Sequence, residues 1–208
     1  MAGVLHKDPY SDRFGEALSY AAATHRTQMR KGTDNPYVGH LLGVASIVID
    51  AGGSEDEAIA AVLHDAPEDQ GGQPRLDDIA MRFGERVASI VSGCSDSLAE
   101  DAESKSPWID RKAAYIRHLR ACKDKSVYLV SVADKLHNAR ATLLDHRHSG
   151  DEIWKRFKAG RDAQLEKYRT LIAVYEDGPE DARRGPVLAD LKRTIDELAN
   201  RKADQTPP

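Results

Sequence analysis

Apolar residues recur at the spacing of an α-helix along nearly the whole chain, and no segment alternates apolar and polar residues as a half-buried strand does. One such stripe begins with Phe14 and Leu18, and a more apolar stretch over 127–144 predicts a central helix. A long helix is predicted over 153–175 and a final one over 187–198. The pattern therefore predicts an all-α bundle of about eight to ten helices, joined by loops rich in Gly, Pro, Asp and Ser.

The length of 208 residues suits one domain with a sizeable core. There is no internal repeat and no linker long enough to separate two domains, so we predict a single domain whose core spans 14–175. The polar tail over 200–208 is expected to be disordered. The two cysteines, Cys94 and Cys122, are far apart, which indicates neither a disulfide framework nor a zinc knuckle.

The net charge of −4 gives the chain no general affinity for nucleic acid or for an anionic membrane. No apolar run approaches the roughly 20 residues that span a bilayer, and the N-terminal segment lacks the apolar core of a signal peptide. We therefore expect a cytoplasmic protein that binds neither nucleic acid nor membrane. The sequence leaves its oligomeric state open.

Residue types that bind divalent metals interrupt the apolar helical segments at four positions. His64 and Asp65 end the run AVLHDAPEDQ, His40 follows a Pro-Tyr turn, and Asp134 lies within VYLVSVADKLHN. Adjacent helical residues point about 100° apart, so His64 and Asp65 can share a metal only near a helix end or with ligands from elsewhere. Two imidazoles and two carboxylates suit Mn²⁺, with Fe²⁺, Zn²⁺ and Mg²⁺ as alternatives.

The order H…HD…D resembles the pattern of HD-domain metal-dependent phosphohydrolases. The blocks HRTQMRKGTDNPYVGHLLGVA, AVLHDAPED and SVADKLHNAR narrow the resemblance to the hydrolase domain of RelA/SpoT-type alarmone enzymes. The resemblance extends over 14–175, and it implies an HD-domain bundle similar to the single-domain small alarmone hydrolases.

The resemblance also assigns catalytic and metal-binding roles. Glu68 and Asp69 stand where the family keeps its Glu-Asp pair, which implies that they orient the attacking water or take its proton. Pro67 precedes them and blocks regular helix continuation, so we expect the pair to lie on a turn. The implied ligands of a Mn²⁺ ion are His40, His64, Asp65 and Asp134.

Five further positions are expected to contact the substrate. Arg30 and Lys31 resemble the pair that borders the base pocket in the family. Lys112, or the arginine before it, resembles the basic residues that reach the diphosphate groups. Asn138 lies one helical turn after Asp134, at a position where the family contacts the sugar or a phosphate. Tyr168 either closes the nucleoside pocket or packs in the core. These positions are Arg30, Lys31, Lys112, Asn138 and Tyr168.

The implied reaction is Mn²⁺-dependent hydrolysis of the 3′-diphosphate of the alarmone (p)ppGpp, which releases pyrophosphate and GDP or GTP. One alternative is an HD phosphohydrolase that acts on (p)ppApp, NADPH or another purine nucleotide, because base choice rests on one or two hydrogen bonds that spacing does not reveal. A second alternative is a non-catalytic nucleotide-binding signalling domain. The complete set of ligand and acidic residues argues against that reading.

Overall fold

The computed structural model describes residues 10–96, 98–99, 108–157 and 159–201. Within these ranges the chain forms ten α-helices and one 3-10 helix and no β-strand, so the predicted all-α class is confirmed. No helix in the described ranges is both long and apolar enough to cross a bilayer. The elements are α1 Asp12–Thr24, α2 Val38–Asp50, α3 Glu55–Leu63, α4 Ala66–Asp69, α5 Gly72–Phe83, α6 Glu85–Cys94, α7 Trp108–Ala121, α8 Lys125–Ser149, the 3-10 helix Gly150–Arg156, α9 Gly160–Glu176 and α10 Arg184–Asn200.

The central element of the bundle is α8, which contacts α2, α3, α6 and α10. Its first half is buried on all sides, as Leu129, Val130 and Ala133 illustrate. A helix that is covered all round needs no polar stripe, which explains why the sequence over 127–133 is almost continuously apolar. Any polar side chain that this segment carries inward must therefore find a partner inside the protein.

A capping box fixes the start of α3. The Ser54 hydroxyl accepts a hydrogen bond from the Glu57 backbone N–H (3.3 Å), and the Glu57 carboxylate accepts one from the Ser54 backbone N–H (2.7 Å). From Ala58 to Leu63 every residue of α3 is buried. The helix therefore runs through the core and brings the two residues that follow it, His64 and Asp65, into the interior.

The prediction of one continuous helix over 153–175 is wrong. A 3-10 helix ends at Arg156, Phe157 is extended, and α9 begins at Gly160, whose φ of 72° lies outside the right-handed helical region. Trp154 and Phe157 pack against each other with ring centroids 6.0 Å apart. Their spacing of three residues fits an α-helix and a 3-10 turn equally well, so periodicity alone could not locate the break.

Gly and Pro residues predict loops over 70–74 and 177–186, and both loops are shorter in the structure. The helix α5 already begins at Gly72 and α10 at Arg184, so both include residues that their prolines had suggested were loop. Proline is compatible with the first turn of a helix, where its missing N–H has no intrahelical partner. The tail predicted to be disordered lies outside the described residues from position 202 onward.

Candidate active site

Four side chains expected to bind metal converge from α2, the α3–α4 junction and α8. The Nε2 atom of His64 lies 3.0 Å from Asp65 Oδ2 and 3.8 Å from Asp134 Oδ1, and the Nε2 atom of His40 lies 3.4 Å and 3.3 Å from the same two oxygens. Both imidazoles are buried, and neither Nε2 atom has a hydrogen bond in the described structure. Two nitrogen lone pairs and two carboxylates facing one point fit a divalent cation.

The end of α3 allows adjacent residues to face the same point. Leu63 is the last helical residue, and the chain turns at His64 and Asp65 before α4 begins at Ala66. The His64 Nδ1–H donates to the Ala61 carbonyl (2.9 Å), which leaves Nε2 as the nitrogen that can bind a metal. The placement at a helix end is the geometry that an adjacent His-Asp pair requires.

Each of the other three candidate ligands is held by a neighbouring polar group. The Tyr37 hydroxyl donates to Asp65 Oδ2 (2.5 Å), and the Asn138 amide donates to Asp134 Oδ1 (2.5 Å). Lys135 donates to the other oxygen of Asp134. His40 shares a hydrogen bond of 2.9 Å between its Nδ1 atom and Nδ1 of His137.

These contacts fix the side-chain rotamers before any ligand binds. Burial opposes ionisation of Asp134, but Lys135 and the two imidazoles outweigh it and hold the pKa of Asp134 well below its ordinary value.

The expectation that the Glu-Asp pair lies on a turn is wrong: the pair lies on the short helix α4, because Pro67 occupies its first turn, where a missing N–H has no intrahelical partner. The two members of the pair have different surroundings. Glu68 lines a cavity beside the four candidate ligands, and its Oε2 atom accepts a hydrogen bond from the Asp96 backbone N–H (3.2 Å). Burial and the neighbouring Asp96 and Asp65 carboxylates raise the pKa of Glu68 to about 8. Asp69 is not among the residues that line the cavity, and its carboxylate accepts a hydrogen bond from the Gln28 amide (2.7 Å).

The cavity has a volume of about 550 Å³, within the range of roughly 300–1,000 Å³ typical of small-molecule sites. All five residues expected at the substrate lie in its walls, as do His40, Asp65 and Asp134. Arg30 donates to the side-chain amide oxygen of Asn138 (3.0 Å), which joins the segment before α2 to α8. The five residues are Arg30, Lys31, Lys112, Asn138 and Tyr168.

Sequence reasoning missed several residues of this site. Asp96 is nearly buried and accepts hydrogen bonds from both Arg111 and Lys112, so the two cations that sequence treated as alternatives share one carboxylate. The only sequence signal for this role is that Asp96 is acidic and follows the apolar stripe of α6. Lys167, immediately before Tyr168, also lines the cavity.

The family model described as "HD domain" matches residues 17–165. A Xenopus tropicalis protein named guanosine-3′,5′-bis(diphosphate) 3′-pyrophosphohydrolase MESH1 is 38% identical over 128 residues, which are 60% of this chain and 66% of that protein. The chain thus spans just under two thirds of the length of this relative. An Aquifex aeolicus protein named guanosine-3′,5′-bis(diphosphate) 3′-pyrophosphohydrolase is 32% identical over 150 residues, 72% of this chain and 20% of the relative.

Among solved structures, one described as a metazoan ortholog of SpoT that hydrolyses ppGpp and plays a role in starvation responses superposes with a TM-score of 0.68. The two chains are 29% identical, and the match covers 91% of this chain and 94% of that one. The resemblance inferred from the motifs is therefore confirmed at the level of the family. This chain belongs to the HD-domain family and is homologous to its MESH1- and SpoT-type ppGpp hydrolases.

Proposed function

We propose that this protein hydrolyses the 3′-diphosphate of (p)ppGpp and releases pyrophosphate and GDP or GTP. The observation that carries the proposal is that one cavity contains both a cluster suited to a divalent metal and a set of cations suited to a polyphosphate. Relatives named for this reaction support the choice of substrate.

Four residues would hold the metal, for which we propose Mn²⁺. The two unpartnered imidazole nitrogens and the two carboxylates supply nitrogen and oxygen donors in the combination that mid-series divalent ions accept. When bound, such an ion neutralises charge on a phosphoryl oxygen and lowers the pKa of water. The proposed ligands are His40, His64, Asp65 and Asp134.

Glu68 is the residue we assign to proton transfer, because it lines the cavity beside this cluster. Its carboxylate would orient the attacking water and accept its proton as the bond to phosphorus forms. Opposite charge lowers the pKa of a carboxyl group, so occupancy of the metal site favours the ionised form of Glu68 that accepts a proton. Asp69 accepts a hydrogen bond from Gln28, and we assign it the role of holding α4 in place.

The cations of the cavity would bind the charged parts of the nucleotide. Lys112, which is anchored on Asp96 together with Arg111, would stabilise the negative charge that develops on the departing pyrophosphate. Arg30 presents a planar guanidinium that can stack on a purine, and Asn138 and Tyr168 would complete the nucleoside pocket.

Product analysis tests the proposal. The purified protein is incubated with Mn²⁺ and, in separate reactions, with ppGpp, ppApp and NADPH, and the products are resolved by anion exchange. We expect ppGpp to give pyrophosphate and GDP, and excess chelator to stop the reaction. Turnover of ppApp or NADPH in its place would establish a different nucleotide hydrolase, and binding of ppGpp without any product would support the non-catalytic alternative.

A further inference from the structure

Lys167 is a cavity cation to which the proposed reaction gives no role. It lies on α9, and its ammonium group donates to the Gln164 side-chain oxygen (2.7 Å) and lies 4.7 Å from the centroid of the Tyr168 ring. In the part of the chain that the structure describes, no carboxylate oxygen lies within salt-bridge distance of it. Among the described residues, its only hydrogen-bond partner is thus the neutral amide of Gln164.

Three other cavity cations are neutralised by carboxylates of the protein itself. Lys112 pairs with Asp96, Lys135 with Asp134, and Arg156 with Asp145. A cation that is partly removed from water without a counter-charge destabilises the fold, so an unpaired ammonium group in a cavity indicates a place for an anionic ligand.

The electrostatic surroundings of Lys167 add to this destabilisation, and only an anionic ligand would relieve it. Burial, and then the positive charges of Lys135 and Lys112, lower the pKa of Lys167 to about 7, while Asp134 opposes the shift. Ammonium groups from α7, α8 and α9 therefore act on one region of the cavity. An incoming polyanion would offset their mutual repulsion, whereas a neutral ligand would not.

We propose that Lys167 binds a phosphate of the nucleotide's diphosphate group together with Lys112. The identity of the nucleotide rests on the proposed function, but the chemistry of the subsite, an anionic phosphate on an otherwise unpaired ammonium group, rests on the cavity alone. Lys167 binds the ligand and takes no part in proton transfer.

The subsite predicts a pH dependence of binding. Lys112 faces Lys167 from α7, Lys135 and Asp134 face it from α8, and Tyr168 faces it from its own helix. The pKa values of Lys135 and Tyr168 are raised by Asp134 and by burial respectively, and that of Asp134 is lowered, so these three keep their charge states between pH 7 and pH 9. Lys167 loses its proton in this window, and a bound phosphate would restore it.

Calorimetry on the full chain tests the subsite without turnover. Titration of ppGpp with EDTA present, at pH 8 in two buffers of different ionisation enthalpy, measures both affinity and proton uptake. At pH 8 the phosphates are already ionised, since their second pKa is about 6, and we expect an uptake approaching about one proton per site. Lys167→Gln should remove most of one proton from this uptake, and any uptake that remains belongs to Glu68, whose pKa of about 8 lies in the same window. At pH 7 the same variant should weaken binding by about tenfold.

Two further variants separate charge from packing. Lys167→Arg should bind at pH 7 within about threefold of the wild type, and its proton uptake at pH 8 should equal that of Lys167→Gln, because guanidinium stays charged. Arg169→Gln removes an exposed cation from the same helix and should change neither quantity.

Inorganic pyrophosphate, titrated in the same buffers, distinguishes the two proposals. Pyrophosphate binding that depends on Lys167, in a protein that does not hydrolyse ppGpp with Mn²⁺, would retain the subsite and overturn the proposed nucleotide. If neither probe binds, or if Lys167→Gln binds both probes as tightly as the wild type, the subsite is overturned.

Discussion

At the scale of single residues, the candidate site depends on which nitrogen of each imidazole remains able to bind a metal. The Ala61 carbonyl occupies Nδ1 of His64, and His137 occupies Nδ1 of His40. The His137 ring fits because residue 43 is glycine, since a Cβ there would lie 2.1 Å from the His137 Cδ2 atom. Neither His137 nor Gly43 could be assigned this function from sequence, because both occupy ordinary helical positions and meet only when α2 packs on α8.

We predict that His137→Ala weakens Mn²⁺ binding by about tenfold, because removal of a group that orients a metal ligand costs affinity. Competition with a fluorescent chelator measures the effect, and saturating Mn²⁺ should restore most of the activity. His148→Ala removes an exposed imidazole from the same helix and serves as the control. Unchanged Mn²⁺ affinity in the His137 variant would show that this hydrogen bond does not position His40.

Glu68→Gln is predicted to lose turnover by at least about a hundredfold while Mn²⁺ affinity stays close to that of the wild type, because the amide cannot accept a proton. Single-turnover rates and metal titrations on the same preparation test both parts. Glu16→Gln, an exposed substitution on α1, is the matched control. A fully active Glu68 variant would rule out its role in proton transfer.

At the scale of elements, the site is assembled by helix ends and by one buried helix. The sequence motifs predicted which residues of α2 and of the end of α3 are candidate metal ligands. At α3 this was possible because the apolar periodicity ends where the His-Asp pair begins. The 3-10 helix before α9 could not be predicted, since Trp154 and Phe157 fit either geometry and only Gly160 marks the break. That break sets the start of the helix that carries Lys167 and Tyr168 into the cavity.

The capping box of α3 gives a prediction at this scale. Ser54→Ala removes one of its two hydrogen bonds, and we expect the free energy of unfolding to fall by about 1 kcal/mol. Urea denaturation followed by circular dichroism measures the difference. Ser89→Ala, at an exposed position within α6, should lose no stability. Equal losses in both variants would mean that the cap contributes nothing specific.

At the scale of the whole molecule, we expect the positive charge of Lys167 to favour binding of an anionic ligand but to lower the free energy of unfolding. Its pKa of about 7 in the folded protein lies below the ordinary lysine value of 10.5. The folded state therefore resists protonation of Lys167. Its destabilisation is fully present below pH 7 and is relieved as the pH rises toward 10.5, because the unfolded chain then binds more protons than the folded one.

Lys167→Met should accordingly be more stable than the wild type, by a margin that is largest below pH 7 and shrinks toward pH 10. Thermal unfolding at pH 6, 8 and 10, in parallel with the Arg169→Gln control, measures the margin. A margin that stays constant with pH would indicate a packing effect of the methionine and contradict the electrostatic explanation.

We propose that the His-Asp cluster and the cationic cavity together hydrolyse the 3′-diphosphate of ppGpp. The rate of pyrophosphate release from ppGpp, measured as Mn²⁺ is titrated into wild-type protein, His64→Ala and the exposed control His148→Ala, tests this proposal. We expect metal-dependent release by the wild type and the control, and loss of both metal binding and release in His64→Ala. Release that continues in His64→Ala, or no release by the Mn²⁺-loaded wild type, would overturn the proposal.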